Sequence, residues 1–258
     1  LKLKLPRLRS NKNKALKTDR LSGRLLCLDI ETKPAQAFVW GLYDQNISLD
    51  QLISPSAPIC VAAKFIGEPQ KYFFADWIQG HKEMIEGIHK LISEADAVVT
   101  YNGDKFDLTK LRGEFLLAGL QPPPPVASID LLKTIKKFGL QSGKLAYVAP
   151  LLGVSEKVKH EGFSLWVKVM NGDKEAQQRM QEYCEGDIPP LEEMYMLLRP
   201  YIVNHPFLGT EGKNGACPTC NCVEIQRRGF RRTKAFLIQR LQCTSCGHWF
   251  DGTKKKVK

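Results

Sequence analysis

The chain has 258 residues, 43% hydrophobic and 25% charged, with 38 Lys and Arg against 27 Asp and Glu, a formal net charge of +11. This is the composition of an ordinary globular protein with apolar residues enough for a sizeable core; no run approaches the ~20 apolar residues of a membrane-spanning helix, and the N-terminus has no apolar stretch of signal-peptide length. Charge is polarised: residues 1–20 hold eight basic and one acidic residue (+7) and residues 211–258 eleven basic and three acidic (+8), leaving −4 between them, and basic ends suit a polyanion such as nucleic acid.

In chain order, residues 1–21 read as a basic arm. A strand follows at 24–30, overlapping the stretch LCLDIET (26–32). Successive side chains of a strand alternate faces, so Leu26, Leu28 and Ile30 share one face and Cys27, Asp29 and Glu31 the other. Two like charges on a buried strand cost several kcal/mol on the order-of-magnitude scale for unpaired ions, and a divalent cation would offset that cost. Residues 58–67 and 71–75 read as a hairpin around EPQ. Met84, Ile85, Ile88, Leu91 and Ile92 recur at helical spacing over 81–95. A strand is expected at 96–101 and a helix at 107–120, stopped by four prolines at 122–125. A short strand at 126–132 precedes a mostly helical stretch to 203. This order predicts an α/β fold, a mixed sheet flanked by helices. Residues 204–214 read as a Gly- and Asn-rich linker, and 215–258 as a separate Cys-rich unit with a basic tail.

Two further segments could join the carboxylates of the first strand. Asn102 and Gly103 form a turn after the strand at 96–101, and Asp107 opens the next helix, where an anion also serves as a first-turn charge. Tyr183 and Asp187 are four apart and share a helical face. Asp-x-Glu, Asn-Gly-x-x-Phe-Asp and Tyr-x-x-x-Asp occur in this order, about eighty residues apart. The set resembles the three motifs of the DEDD superfamily of 3′–5′ exonucleases, and Tyr183 in place of His resembles its tyrosine subclass. The stretches VWGLYDQNISLDQLI, KLAYVAPLLGV, KVKHEGFSLWVKVMNGD and DIPPLEEMYMLLRPYI are similar to RNase H-like exonucleases of phage and prophage, which often carry a C-terminal zinc ribbon. The resemblance covers the chain from about residue 22 onward and makes 22–203 an RNase H-like exonuclease domain.

The resemblance implies a two-metal hydrolysis of phosphodiesters, with Asp29, Glu31, Asp107 and Asp187 as ligands of Mg²⁺ or Mn²⁺, hard cations that take oxygen donors. Asp29 would bridge both ions, Glu31 and Asp187 would complete one site, and Asp107 would serve the other, largely through water. The Tyr183 hydroxyl would orient the attacking water. Asn102, Phe106, Lys144 and His160, with Asn46, Lys157 and Lys159, are candidates to line the strand-binding groove.

CPTC (217–220) and CTSC (243–246) are two C-x₂-C pairs 22 residues apart. Four such thiolates suit one tetrahedral Zn²⁺, which makes Cys217, Cys220, Cys243 and Cys246 the expected ligands of a small zinc ribbon. Cys222 is a spare that could replace Cys220, and His248 is a weaker competitor. Between the pairs, Arg227, Arg228, Arg231 and Arg232 lie beside Phe230 and Phe236, a combination suited to phosphate contact and base stacking. Cys27, Cys60 and Cys184 read as buried free thiols, and the pattern as a whole is that of a reducing compartment.

The expected activity is a metal-dependent 3′–5′ exonuclease on single-stranded or frayed ends, DNA favoured over RNA, in the cytoplasm of a bacterium or phage-infected cell. The expected partners are nucleic acid and a replication or repair protein, with no membrane. Two alternatives differ in kind: an RNase H-like endonuclease or structure-selective nuclease, and a silent nucleic-acid-binding adaptor. A circular strand separates the first from an exonuclease; a full set of carboxylates speaks against the second.

Overall fold

The structure, a computed structural model, describes residues 23–155, 161–203, 205–208 and 215–257. The expected basic arm, and the groove candidates Lys157, Lys159 and His160, lie outside the described residues.

Strand β1 (Leu25–Lys33) is the centre of a five-stranded sheet. On one side it pairs antiparallel with β4 (Ala57–Phe65), which pairs antiparallel with β5 (Lys71–Ala75); on the other it runs parallel to β6 (Ala97–Thr100), and β6 parallel to β7 (Ala127–Asp130). The mixed sheet follows from the connections. A short turn through Gly67 (φ 85°) returns β4 into β5, whereas the parallel strands are joined through helices, as parallel pairing requires. Between β1 and β4 the chain makes a small two-stranded excursion, β2 (Gln36–Ala37) and β3 (Leu52–Ser54).

Alternation along β1 produces two cores. Leu26, Leu28 and Ile30 pack with Met84, Ile85 and Ile88 of α1 (His81–Ser93) and Leu111 of α2 (Asp107–Leu117). Leu25 and Cys27 face the other layer, built from α3 (Leu131–Ile135), α4 (Leu145–Leu152), α5 (Phe163–Met170), α6 (Lys174–Gly186) and α7 (Ile188–Leu198). The free thiols of Cys27, Cys60 and Cys184 are fully buried in this second core. Helices thus cover both faces of the sheet, the layout read from the order of elements.

After α7 the chain continues through Arg199 and Pro200 into a three-stranded antiparallel unit, β8 (Ile225–Arg232), β9 (Phe236–Cys243) and β10 (Trp249–Lys256), with β9 central. The described part of the segment between them is anchored to both. His205 donates from Nδ1 to the Pro206 carbonyl (2.8 Å), so its Nε2 accepts the Tyr195 hydroxyl proton at 2.7 Å. Burial drives the His205 pKa down to about 4, which keeps that acceptor neutral. Leu208 is buried and its N–H donates to the Pro218 carbonyl at 3.0 Å.

One polar cluster ties the α1–α2 layer to the sheet edge. His81 opens α1 and holds Asp76 through Nδ1 (2.9 Å) and Glu114 of α2 through Nε2 (3.0 Å). Partial burial alone would lower the His81 pKa, but the hydrogen bonds and charges of Glu114 and Asp76 outweigh it and raise the pKa above the ordinary value. A raised folded-state pKa stabilises the fold fully below the unfolded-state value and loses that contribution as pH rises through the folded-state value. His81→Gln is therefore expected to lower the melting temperature more at pH 6 than at pH 8; equal losses at both would show that the charge on His81 contributes nothing.

Candidate functional site

The three segments bearing the expected carboxylates meet at one end of the sheet. Asp29 and Glu31 lie on the same side of β1, near its C-terminal end, and the β1–β4 register shifts between Glu31 and Thr32. An irregularity of this kind re-aims the side chains beside it. Asp187 joins them from the junction of α6 and α7, and one carboxylate oxygen from each of Asp29, Glu31 and Asp187 lies within 4.8 Å of the others. Asp29 and Glu31 are half-buried, while Asp187 is 1% exposed.

The sequence makes the junction. α6 starts on Asp173, whose carboxylate accepts the Ala176 N–H at 3.0 Å. It ends at Gly186, and Asp187 (φ −81°, ψ −12°) closes it and opens α7. Pro189 and Pro190 follow; lacking N–H groups, they are accepted in a helix's first turn and not within a helix. The break falls at the carboxylate, and the nearly continuous backbone keeps Tyr183 one turn before it. Tyr183 is 4% exposed, its ring edge-on to Trp166 at 6.1 Å.

Asp107 stands outside that group of three but is tied to the same strand: its Oδ1 accepts the N–H of Ile30, the residue between Asp29 and Glu31, at 3.2 Å. It is the first residue of α2 and 3% exposed. A tight turn delivers it. Asn102 is left-handed (φ 69°), and a Cβ on Gly103 would stand 2.3 Å from Thr100 Oγ1, so the turn closes only over glycine. Phe106 precedes α2 with its ring 39% exposed. Lys144 opens α4 and donates its N–H to Ser142 Oγ at 3.2 Å.

Asp130, a residue the sequence reading passes over, fixes this turn. It ends β7, is 7% exposed, and its Oδ1 accepts from Asn102 N (2.8 Å) and from Leu132 N at the start of α3 (3.0 Å). An Asp between a strand and an apolar helix start was the available signal. Beneath the carboxylates, Cys184 Sγ approaches the Asp29 carbonyl at 3.8 Å. The Cys60 thiol is held above its ordinary pKa first by burial and then by Glu31 and Asp29, so the floor of the site is uncharged.

The second cluster is sulfur. Cys217, Cys220, Cys243 and Cys246 each place Sγ within 4.8 Å of the others, with Cys217–Cys246 and Cys220–Cys243 both at 3.6 Å. Sulfurs at ~2.3 Å from a central zinc would form a tetrahedron with edges of about 3.8 Å, so the donor set fits. The residue after each pair is left-handed, Asn221 (φ 55°) and Gly247 (φ 79°), and turns the chain back: Asn221 N donates to the Cys217 carbonyl and Gly247 N to the Cys243 carbonyl. Neighbouring thiols pull Cys217 down to about 7, chiefly through Cys220, and Cys243 to about 6, chiefly through Cys217. Cys222 and His248 are not in the group of four. Of the four arginines on β8, Arg231 makes a two-pronged pair with Asp251 (3.1 and 2.6 Å) and Arg228 donates to Gln242 (3.1 Å). Arg227 and Arg232 are exposed beside them.

Compared with known proteins, residues 26–199 match the family described as RNase_H superfamily. No curated protein matches. Among solved structures, the family B DNA polymerase of the archaeon Pyrobaculum calidifontis superposes with a TM-score of 0.53 at 17% identity, covering 70% of this chain and 26% of the polymerase. RNase D of Trypanosoma brucei superposes at 0.41 and 16% identity, covering 72% of this chain and 60% of RNase D, too loosely to bear on the fold. The chain thus spans about a quarter of the polymerase it resembles.

Asp130→Ala would strand the N–H groups of Asn102 and Leu132. The expected cost is about 1–3 kcal/mol of unfolding free energy in urea, with Asp130→Asn, which keeps an acceptor oxygen, losing less. Equal losses would mean that the turn does not depend on this acceptor.

Proposed function

The chain belongs to the RNase H superfamily, and from that footing we propose that it is a metal-dependent 3′–5′ exonuclease acting on single-stranded or frayed ends, with DNA as the favoured substrate. The observation that carries the reading is the convergence of Asp29, Glu31 and Asp187, from segments some 155 residues apart in sequence, within 4.8 Å. Three carboxylates brought together in a half-buried site repel one another, and a cation between them would offset that cost. The donor set is all oxygen, which fits Mg²⁺ or Mn²⁺. The DNA preference takes its support from the polymerase whose fold is shared.

In this reading Asp29, Glu31, Asp187 and Asp107 would hold two divalent ions, Asp107 from outside the group of three. Such ions would supply an activated water and neutralise charge developing on the phosphate and the leaving 3′-oxygen. The chain's own groups do the rest. The Tyr183 hydroxyl, one turn before Asp187 and steadied by Trp166, orients the attacking water. The hydrogen bond from Ile30 N to Asp107 keeps that carboxylate against β1. Asn102, Phe106, Lys144 and His160 serve the terminal nucleotides. Arg227, Arg228, Arg231 and Arg232 supply phosphate contacts that add affinity without reading sequence.

End-labelled linear strands of DNA and RNA should shorten stepwise from the 3′ end with Mn²⁺ or Mg²⁺, and EDTA should stop the reaction. Asp29→Asn should lower the rate by about 10³-fold or more, given that the ions supply several kcal/mol of transition-state stabilisation. Cleavage of circular strands would make the protein an endonuclease, and binding without cleavage of any strand would make it an adaptor.

The four cysteines are proposed to hold one structural Zn²⁺, supported by the two 3.6 Å sulfur separations. Elemental analysis should give one zinc per chain, falling to a small fraction in Cys243→Ser. Because such a unit draws its folding energy from the ion, amide exchange in β8–β10 should become fast on zinc removal while β1, β4 and β6 stay protected. Unchanged protection in β8–β10 would reject the zinc.

A further inference from the structure

The excursion between β1 and β4 is an arm whose Phe38, Trp40, Leu42, Tyr43 and Leu49 side chains belong to neither core. β2 and β3 pair through Gln36 and Ser54. Gln51 staples the arm beyond them: its carbonyl accepts Phe38 N (2.9 Å) and its Nε2 donates to the Phe38 carbonyl (2.8 Å). Its Oε1 also accepts Ser48 N at 3.0 Å. These bonds tie Phe38, Ser48 and Gln51 to one another, while Phe38 is 74% exposed, Trp40 99%, Leu42 87%, Tyr43 84% and Leu49 85%. Large apolar and aromatic side chains exposed together in one short stretch mark a contact surface.

Topology says where the surface stands. The arm leaves the sheet where Lys33 of β1 pairs with Ala57 of β4, two residues past Glu31. That is the C-terminal end of β1, and the Asn102 turn leaves the C-terminal end of the parallel neighbour β6, the edge at which open α/β sheets receive ligands. The arm is therefore continuous with the acidic site. Its charge says what it meets. Residues 34–56 contain Asp44 and Asp50 and no Lys or Arg, so the arm has nothing with which to neutralise phosphates, in a chain whose positive charge lies at its two ends. What it offers is three aromatic faces, and those match the faces of unpaired bases.

We propose that the arm, through Trp40 with Phe38 and Tyr43, stacks unpaired bases of a single strand whose phosphates lead into the carboxylate site. The proposal rests on the nuclease reading and adds a base-recognition surface to it, one that tolerates any sequence because every base has a π face.

The test uses the full chain carrying Asp29→Asn, so that the strand is not consumed. A fluorescent oligothymidylate and an abasic strand of equal length and charge are titrated against it, with and without Trp40→Ala and Tyr43→Ala together. The expected result is a loss of about tenfold or more in affinity for the oligothymidylate, with affinity for the abasic strand changing less than about twofold and Trp40→Phe restoring most of the loss. Unchanged affinity for the oligothymidylate, or an equal loss on both strands, overturns the proposal. So does sedimentation showing a dimer that the double substitution dissolves, which would assign the arm to a second copy of the chain. Failure here is separable from failure of the nuclease reading: stepwise cleavage by the unsubstituted chain with arm-independent binding rejects only the arm, whereas base-dependent binding without any cleavage rejects only the nuclease.

Discussion

The structure is organised around a repulsion. Asp29, Glu31 and Asp187 carry like charges to within 4.8 Å of one another, and Asp187 does so almost fully buried. Nothing in the mutual electrostatics of three carboxylates favours that arrangement; it is imposed by the packing around it. β1 is fixed by strands on both sides, and its two faces are held in separate cores, so Asp29 and Glu31 cannot rotate away without exposing Leu26, Leu28 and Ile30. α6 and α7 are likewise fixed through Met180, Cys184, Leu191 and Tyr195. Hydrophobic burial thus holds in place a charged cluster that would otherwise disperse.

The polar supports surround the site without adding charge to its floor. Buried thiols line the underside, and main-chain N–H groups donate to Asp107 and Asp130. A backbone donor is rigid and uncharged, so it can orient a carboxylate without competing for the cation that the carboxylate would bind. Asp130 extends this logic by one step: a single buried oxygen joins the turn before α2 to the start of α3, and the position of Asp107 follows from the turn.

Much of this was legible in the sequence because it depended on local periodicity. The alternation in LCLDIET sorted apolar from acidic residues before any fold was known, the helical spacing at 81–95 located α1, and paired cysteines announced their cluster. Other features depended on contacts between distant segments and had no local signature. Asp130 looks like an ordinary helix cap, which it also is. His81 lies on a helix that the apolar pattern predicts, and its two carboxylate partners are five and thirty-three residues away. The run at 38–43 has no periodicity that places it, and only the three-dimensional arrangement shows Trp40 outside both cores. The family resemblance brought Asp107 into the set, but not its separation from the group formed by the other three.

Helix α7 links the two clusters in a way that bears on how the molecule can vary. It begins at Ile188, next to Asp187, and ends at Leu198, beside Arg199 and Pro200, and Pro200 lies 3.8 Å from where a Cβ on Gly247 would sit. The helix is thus a ruler of eleven residues, roughly 16 Å at 1.5 Å per residue. Inserting one residue into it would turn the sulfur cluster by about 100° about the helix axis relative to the carboxylates. The interval between Asp187 and Pro200 is therefore constrained by geometry rather than by the chemistry at either end.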